Sequence, residues 1–181
     1  MINDVVEPFP QDTPQFEPIF RGELSMAFYN WSTSMSVGQP VLDSDHQALI
    51  ALINDLHVAV GKCDQGQSIR EILKQLYDYV NFHFRREEKV MSACGVEDTR
   101  AHLEEHSDFV RFVEENFSDD LAVLDPAAAH RLLEYLKEWL NSHILIIDMA
   151  YKPAVQNNPE ADAAAALFGP GLAEVEPAKM P

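Results

Sequence analysis

From Leu49 onward, apolar residues recur at helical spacing. Leu49, Ile50, Leu52, Ile53, Leu56 and Val60 fall on one broad stripe. The pattern predicts a first helix that begins near Ser44, where Ser44-x-x-Gln47 forms a capping box after Pro40, and that ends at Gly61. A second helix starts at Ser68, with Ser68-x-x-Glu71 as its capping box. It runs through Ile72, Leu76, Tyr79, Val80 and His83 to about Met91, and Gly95 closes the turn after it. A third spans Thr99 to Asn116 through Leu103, Phe109, Val110 and Val113. Asp125 as N-cap and Pro126 at the first helical position open a fourth. It continues through Leu132, Leu136, Leu140, Ile144 and Ile147 until Pro153 stops it. No strand-like alternation competes. Short connections favour antiparallel neighbours, so the expected fold is all-α, an up-down-up-down four-helix bundle.

The two ends depart from this periodicity. Residues 1–25 carry Pro8, Pro10, Pro14 and Pro18 among acidic and aromatic residues and read as an extended N-terminal arm. Residues 26–152 are assigned to the bundle. Residues 153–181 form an Ala/Pro-rich tail, in which Asn158-Pro159 and Gly169 bracket one short helix.

Charge narrows the partners. The formal net charge of −17 repels phosphate backbones and anionic lipid surfaces, so neither nucleic-acid binding nor membrane insertion is expected. No run reaches the roughly 18 to 20 apolar residues that span a bilayer. The first residues lack the basic and apolar stretches of a secretory signal. Cys63 and Cys94 match neither a metal-finger spacing nor a disulfide framework. At opposite ends of the second helix they would lie more than about 30 Å apart, too far to bridge. A cytoplasmic location is the expectation.

The histidines hold the chemistry. The second helix carries His83-Phe-Arg-Arg-Glu87, an i,i+4 pair on one face, and the third carries His102-Leu-Glu-Glu-His106 at the same spacing. In the fourth, His143 and Asp148 flank four apolar residues, and His46 lies in the first turn of the first helix. An alternating bundle brings the start of helix one, the end of two, the start of three and the end of four to one end. All seven groups can then converge on a single buried pocket. A lone i,i+4 histidine pair is weak evidence, and His102-Leu-Glu-Glu-His106 also fits the H-x-x-E-H pattern of a zinc peptidase. That reading leaves His46, His83 and His143 without a role. Five imidazoles and two carboxylates exceed the needs of one tetrahedral zinc. They suit a pair of first-row ions, with carboxylates bridging and imidazoles terminal. Iron fits best, ahead of manganese, while magnesium and calcium want oxygen throughout. His57, about 16 Å along the axis from His46, and His130 fall outside the group and read as structural or surface residues.

Further motifs accompany these. Trp31 is followed by Ser36-Val37-Gly38 and by Asp43-Ser44-Asp45-His46-Gln47-Ala48-Leu49. His83-Phe84-Arg85-Arg86-Glu87-Glu88 runs on to Met91, and Trp139-Leu140-Asn141-Ser142-His143-Ile144 leads to Asp148. On these residues the region from Met26 to Tyr151 resembles the bacterial hemerythrins. The resemblance implies a non-haem di-iron centre, two iron ions (Fe2+/Fe3+) with a bridging oxo or hydroxo group. It implies that His102, His106 and His143 hold one iron, that His46 and His83 hold the other, and that Glu87 and Asp148 bridge. The second iron is then one donor short, and dioxygen would bind there. Phe84, Trp139, Leu140 and Ile144 match the oxygen-pocket positions of the family, and Tyr151 is placed to hydrogen-bond a ligand. Val96-Glu97 stands where many relatives have Tyr-Pro, and Asp45 where many have Gln, both outside the ligand set.

The implied function is reversible dioxygen binding for carriage, storage or delivery, with no catalytic residue and no enzymatic turnover expected. An oxygen or redox sensor on the same centre is the alternative. A di-iron peroxidase or oxidase ranks lower, because the apolar flanks argue against substrate access, and seven fixed ligands suit two ions better than an iron store. Dioxygen is the expected partner. The arm and tail would either dock on the bundle or bind a protein partner.

Overall fold

The computed structural model describes residues 28–61, 67–117 and 126–169. The N-terminal arm, Cys63, Asp125 and the last part of the tail lie outside the described residues. The described residues are all helical or irregular, with no strand among them.

The first helix, α1 (Pro40–Gly61), starts a full turn before Ser44. Pro40 needs no partner for an N–H and arrives with a helical φ. Gln39 supplies the cap, its Oε1 accepting from the Leu42 N–H at 2.8 Å. The expected capping box at Ser44 is therefore superseded, and Ser44 is buried inside the helix. Next come α2 (Gln67–Ala93) and α3 (Arg100–Phe117), each within one residue of the predicted start. Between them Gly95 takes φ 67°, and the Val96 N–H returns to the Met91 carbonyl at 3.0 Å. That left-handed residue reverses the chain at no steric cost.

The last long element differs most from expectation. α4 (Pro126–Ser142) passes into a π-helical segment, His143–Asp148, and then into α5 (Met149–Val155). Pro153 lies inside α5 and does not end it. A proline removes only its own N–H, so one hydrogen bond is forfeited while the chain adds two more helical residues. After a short turn comes α6 (Pro159–Ala166), where the Asn158 side chain caps the Glu160 N–H at 3.0 Å. Glu160 and Asp162 in its first turn suit the positive end of the helix.

α1 packs against α2 and α4, and α2 packs against α3, as an antiparallel bundle requires. α3 meets α4 through rings: Phe109 lies 4.2 Å from Trp139, and Phe112 stacks on Tyr135 at 3.5 Å. α6 lies across α2 and α1. Ahead of α1, the Tyr29 N–H and carbonyl pair with the Asn54 amide, both at 2.9 Å, which pins that segment to the bundle.

Two apolar clusters result. The larger runs the length of the bundle and includes Leu49, Ile53, Leu56, Leu76, Phe84, Phe109, Leu136 and Leu140. The smaller lies at one end, built from Val37, Leu42, Val90, Met91, Tyr151, Val155 and the α6 alanines Ala161, Ala164 and Ala165. Along α1, α2 and the α4–α5 helix, His46, Glu87 and Asp148 fall between residues of the two clusters, with apolar packing on both sides. Among the described residues, no helix is long and apolar enough to cross a membrane.

Candidate metal centre

Four elements deliver the seven candidate side chains. α1 supplies His46, α2 supplies His83 and Glu87, α3 supplies His102 and His106, and the π-helical segment supplies His143 and Asp148. All seven are buried. The structure brings all seven together. His57 and His130 lie apart from them: His57 is half-buried and stacks on Phe28 at 4.3 Å, and His130 is exposed.

The π-helical segment explains how His143 and Asp148 cooperate across five residues. In an α-helix that spacing would turn them about 140° apart. The wider π turn brings residues i and i+5 back to one face. Asp148 then spans two groups of imidazoles. Its Oδ1 lies 3.2 Å from His143 Nε2 and 3.7 Å from His102 Nε2, while its Oδ2 lies 3.3 Å from His46 Nε2. Glu87 does the same from α2. Its Oε2 lies 3.0 Å from His106 Nε2, 3.3 Å from His102 Nε2 and 3.8 Å from His83 Nε2. Two sets of donor atoms close enough to share one ion follow: Glu87, His102, His106 and His143, and also His46, His83 and Glu87.

The donor set calls for cations. Nε2 of His106 is 3.0 Å from Nε2 of His102 and 3.1 Å from Nε2 of His143. Three ring nitrogens facing one point cannot all present N–H groups to each other. Among the described residues, both nitrogens of His46, Nδ1 of His143 and both oxygens of Asp148 are buried without a hydrogen bond. Buried polar atoms left in that state are costly unless an ion or water takes them up. The residues therefore fit a pair of metal ions.

The electrostatics of the cluster carry the same strain. Burial drives His46 and His143 below the ordinary histidine range. Burial, reinforced by the nearby Glu87 charge, holds Asp148 well above the carboxylate range. Burial works against Glu87 and His106 too, but their bonding outweighs it. With His102 and His106 as partners, Glu87 stays well below the usual carboxylate range. His106, bonded to Glu87 and Glu88, is raised to about 9.

Residues 37–155 match the family described as the hemerythrin HHE cation binding domain. The chain belongs to the hemerythrin family. A hemerythrin-like protein of Naegleria gruberi is 34% identical over 124 residues, covering 68% of this chain and 91% of that protein. A bacteriohemerythrin of Pseudomonas aeruginosa is 33% identical over 136 residues, covering 74% of this chain and 85% of the relative. A bacteriohemerythrin of Stenotrophomonas maltophilia is 29% identical over 140 residues.

Around the hemerythrin cluster stands a ring of supporting groups. Tyr151 donates to Glu87 Oε1 at 2.5 Å, the hydrogen bond expected from its position. Phe84 stacks on His106 at 3.7 Å and Trp139 on His143 at 4.2 Å, while Leu140 and Ile144 are buried. A cleft of about 310 Å³ between α2 and α3 has Phe84, Glu88 and His106 in its wall. Four partners were not foreseen. Asp45 is buried, with Oδ2 3.1 Å from His83 Nδ1, and Arg86 Nη1 donates to both Asp45 oxygens at 2.6 and 2.8 Å. Glu88 Oε1 lies 3.1 Å from His106 Nδ1. Tyr79 stacks on His83 at 5.1 Å. The only available signal was adjacency: Asp45 precedes His46, and Arg86 and Glu88 flank Glu87.

Proposed function

We propose that the cluster binds two iron ions and that the protein binds dioxygen there reversibly, as an oxygen carrier or store. His102, His106 and His143 would hold one ion and His46 and His83 the other, with Glu87 and Asp148 shared. The observation that carries this reading is Asp148, whose two oxygens face two different imidazole groups. A carboxylate with one oxygen toward each of two donor sets suits bridging. The three-to-two division of imidazoles leaves the His46/His83 side short of one protein donor, the side where an exogenous ligand would bind. Bound there, reduced iron would supply the electrons for reversible dioxygen uptake.

The chain's own residues contribute position and dryness. Tyr151 and Asp45 fix Glu87 and His83 from behind, so neither ligand is free to rotate. Phe84, Trp139, Leu140 and Ile144 form the apolar wall proposed to exclude water and proton donors. The match to a cation-binding domain supports the metal part of the reading.

The test is a visible absorption spectrum of iron-loaded protein, reduced without air, exposed to air and then returned to argon. An absorption band that appears with air and fades under argon is expected, with two iron ions per chain. Irreversible oxidation on first exposure would overturn oxygen carriage.

A further inference from the structure

We infer that α6 and the three residues after it act as a clasp on the His83 ligand, transmitted through Arg86 and Asp45. This inference rests on the proposed two-metal reading and assigns residues that set one half of it.

The chain of contacts is continuous. Asp45 Oδ2 accepts from His83 Nδ1 at 3.1 Å, which directs the lone pair of Nε2 toward Glu87 and the cluster. Asp45 is fully buried, and a carboxylate there is stable only with a counter-charge. Arg86 supplies it, meeting both oxygens through one nitrogen. Its other terminal nitrogen, Nη2, donates to the Phe168 carbonyl at 3.1 Å and lies 3.4 Å from that of Gly169. These carbonyls stand at the C-terminal end of α6, where partial negative charge favours a cation.

Two further contacts hold the guanidinium in place. It lies 4.7 Å above the Phe82 ring, and Phe82 in turn meets Phe168 edge-on at 6.0 Å. α6 itself is seated by Ala161, Ala164 and Ala165, by the Gln39–Asp162 hydrogen bond at 3.2 Å, and by Gln156 packed against Gly38. The family match ends at residue 155, so the clasp is made by residues beyond it. Among the described residues, no hydrogen bond or ion pair joins α6 to His102 or His143. Loosening the clasp is therefore a one-sided perturbation: it frees the His83 ring and leaves the three-histidine group held.

Ala165→Glu, which places a charge in the buried α6 contact, and Arg86→Met test this in the full-length protein. Cobalt(II) is titrated into metal-free protein, and binding is followed by visible absorption and metal analysis. Wild type should take two ions per chain in two affinity classes, the weaker assigned to His46 and His83 by its loss in His46→Ala. Both clasp variants should weaken only that class, by about 10-fold or more, the usual effect of losing a ligand's supporting partner. The three-histidine class should stay within about twofold. Circular dichroism establishes that each variant is folded, and Arg86→Lys serves in place of Arg86→Met if the latter is not. Unchanged affinity for both ions, or equal weakening of both, overturns the clasp while leaving the two-metal reading intact. Fewer than two ions bound by wild type overturns the two-metal reading and the clasp with it.

Discussion

Glu87 shows how much a single buried residue depends on its neighbours. Its Oε2 faces three imidazoles, and its Oε1 receives the Tyr151 hydroxyl. Removing that hydroxyl leaves a buried acceptor unmet and lets the carboxylate swing. Tyr151→Phe should keep the fold and weaken metal binding by about 10-fold, measured by competition with a chromophoric chelator. Affinity equal to wild type would mean that the hydrogen bond does not position Glu87. The ligand candidates themselves were legible from spacing, because i,i+4 pairs advertise a shared helix face. Asp45 and Arg86 were not. They lie 41 residues apart in the chain, and nothing local marks two residues that become partners only when α1 meets α2.

At the scale of elements, the π-helical segment is the informative departure. Its pattern, His143 followed by four apolar residues and Asp148, is compatible with a plain α-helix on hydrophobicity alone. Only the need to put both ends on one face requires the wider turn. Ile146, inside the segment, is exposed, so its deletion removes no core contact. Deleting Ile146 would leave His143 and Asp148 at i,i+4, about 40° apart on an ordinary α-helix, and metal binding should survive within about tenfold. Inserting one alanine after Ile146 would instead place them about 120° apart, and metal analysis should then find fewer than two ions per chain. If insertion is as harmless as deletion, the π geometry is not what aligns the pair. The start of α1 is the second departure. There Pro40 and Gln39 outcompete the Ser44 capping pattern, which shows that a cap motif competes with its neighbours rather than acting alone.

For the whole molecule, gathering seven buried polar groups predicts a dependence on metal. Buried polar atoms without hydrogen bonds, together with a carboxylate pushed well above its usual range, strain that end of the bundle unless an ion takes them up. An ion that binds only the folded chain stabilises it by mass action, about 4 kcal/mol at a thousand times its dissociation constant. Removing metal with a chelator should therefore lower the thermal midpoint by several degrees, and iron or cobalt(II) should restore it, followed by circular dichroism. An unchanged midpoint would mean that these groups bind no ion tightly. The same end is closed by α6, so proteolysis after α5 should become easier as metal is withdrawn if the clasp and the centre support one another.

Helix type, bundle topology and the convergence of five histidines with two carboxylates all followed from periodicity and spacing along the chain. Those are local signals: a helix face repeats every 3.6 residues whatever lies opposite it. What lies opposite was set by packing. The α4 helix widens at His143 and continues through Pro153, α6 folds back over α1 and α2, and Arg86 links Asp45 to the carbonyls of Phe168 and Gly169. Each of these depends on groups far apart in sequence meeting in a dry interior. There an unpaired charge is too costly to leave, and the nearest partner, not the nearest residue, satisfies it.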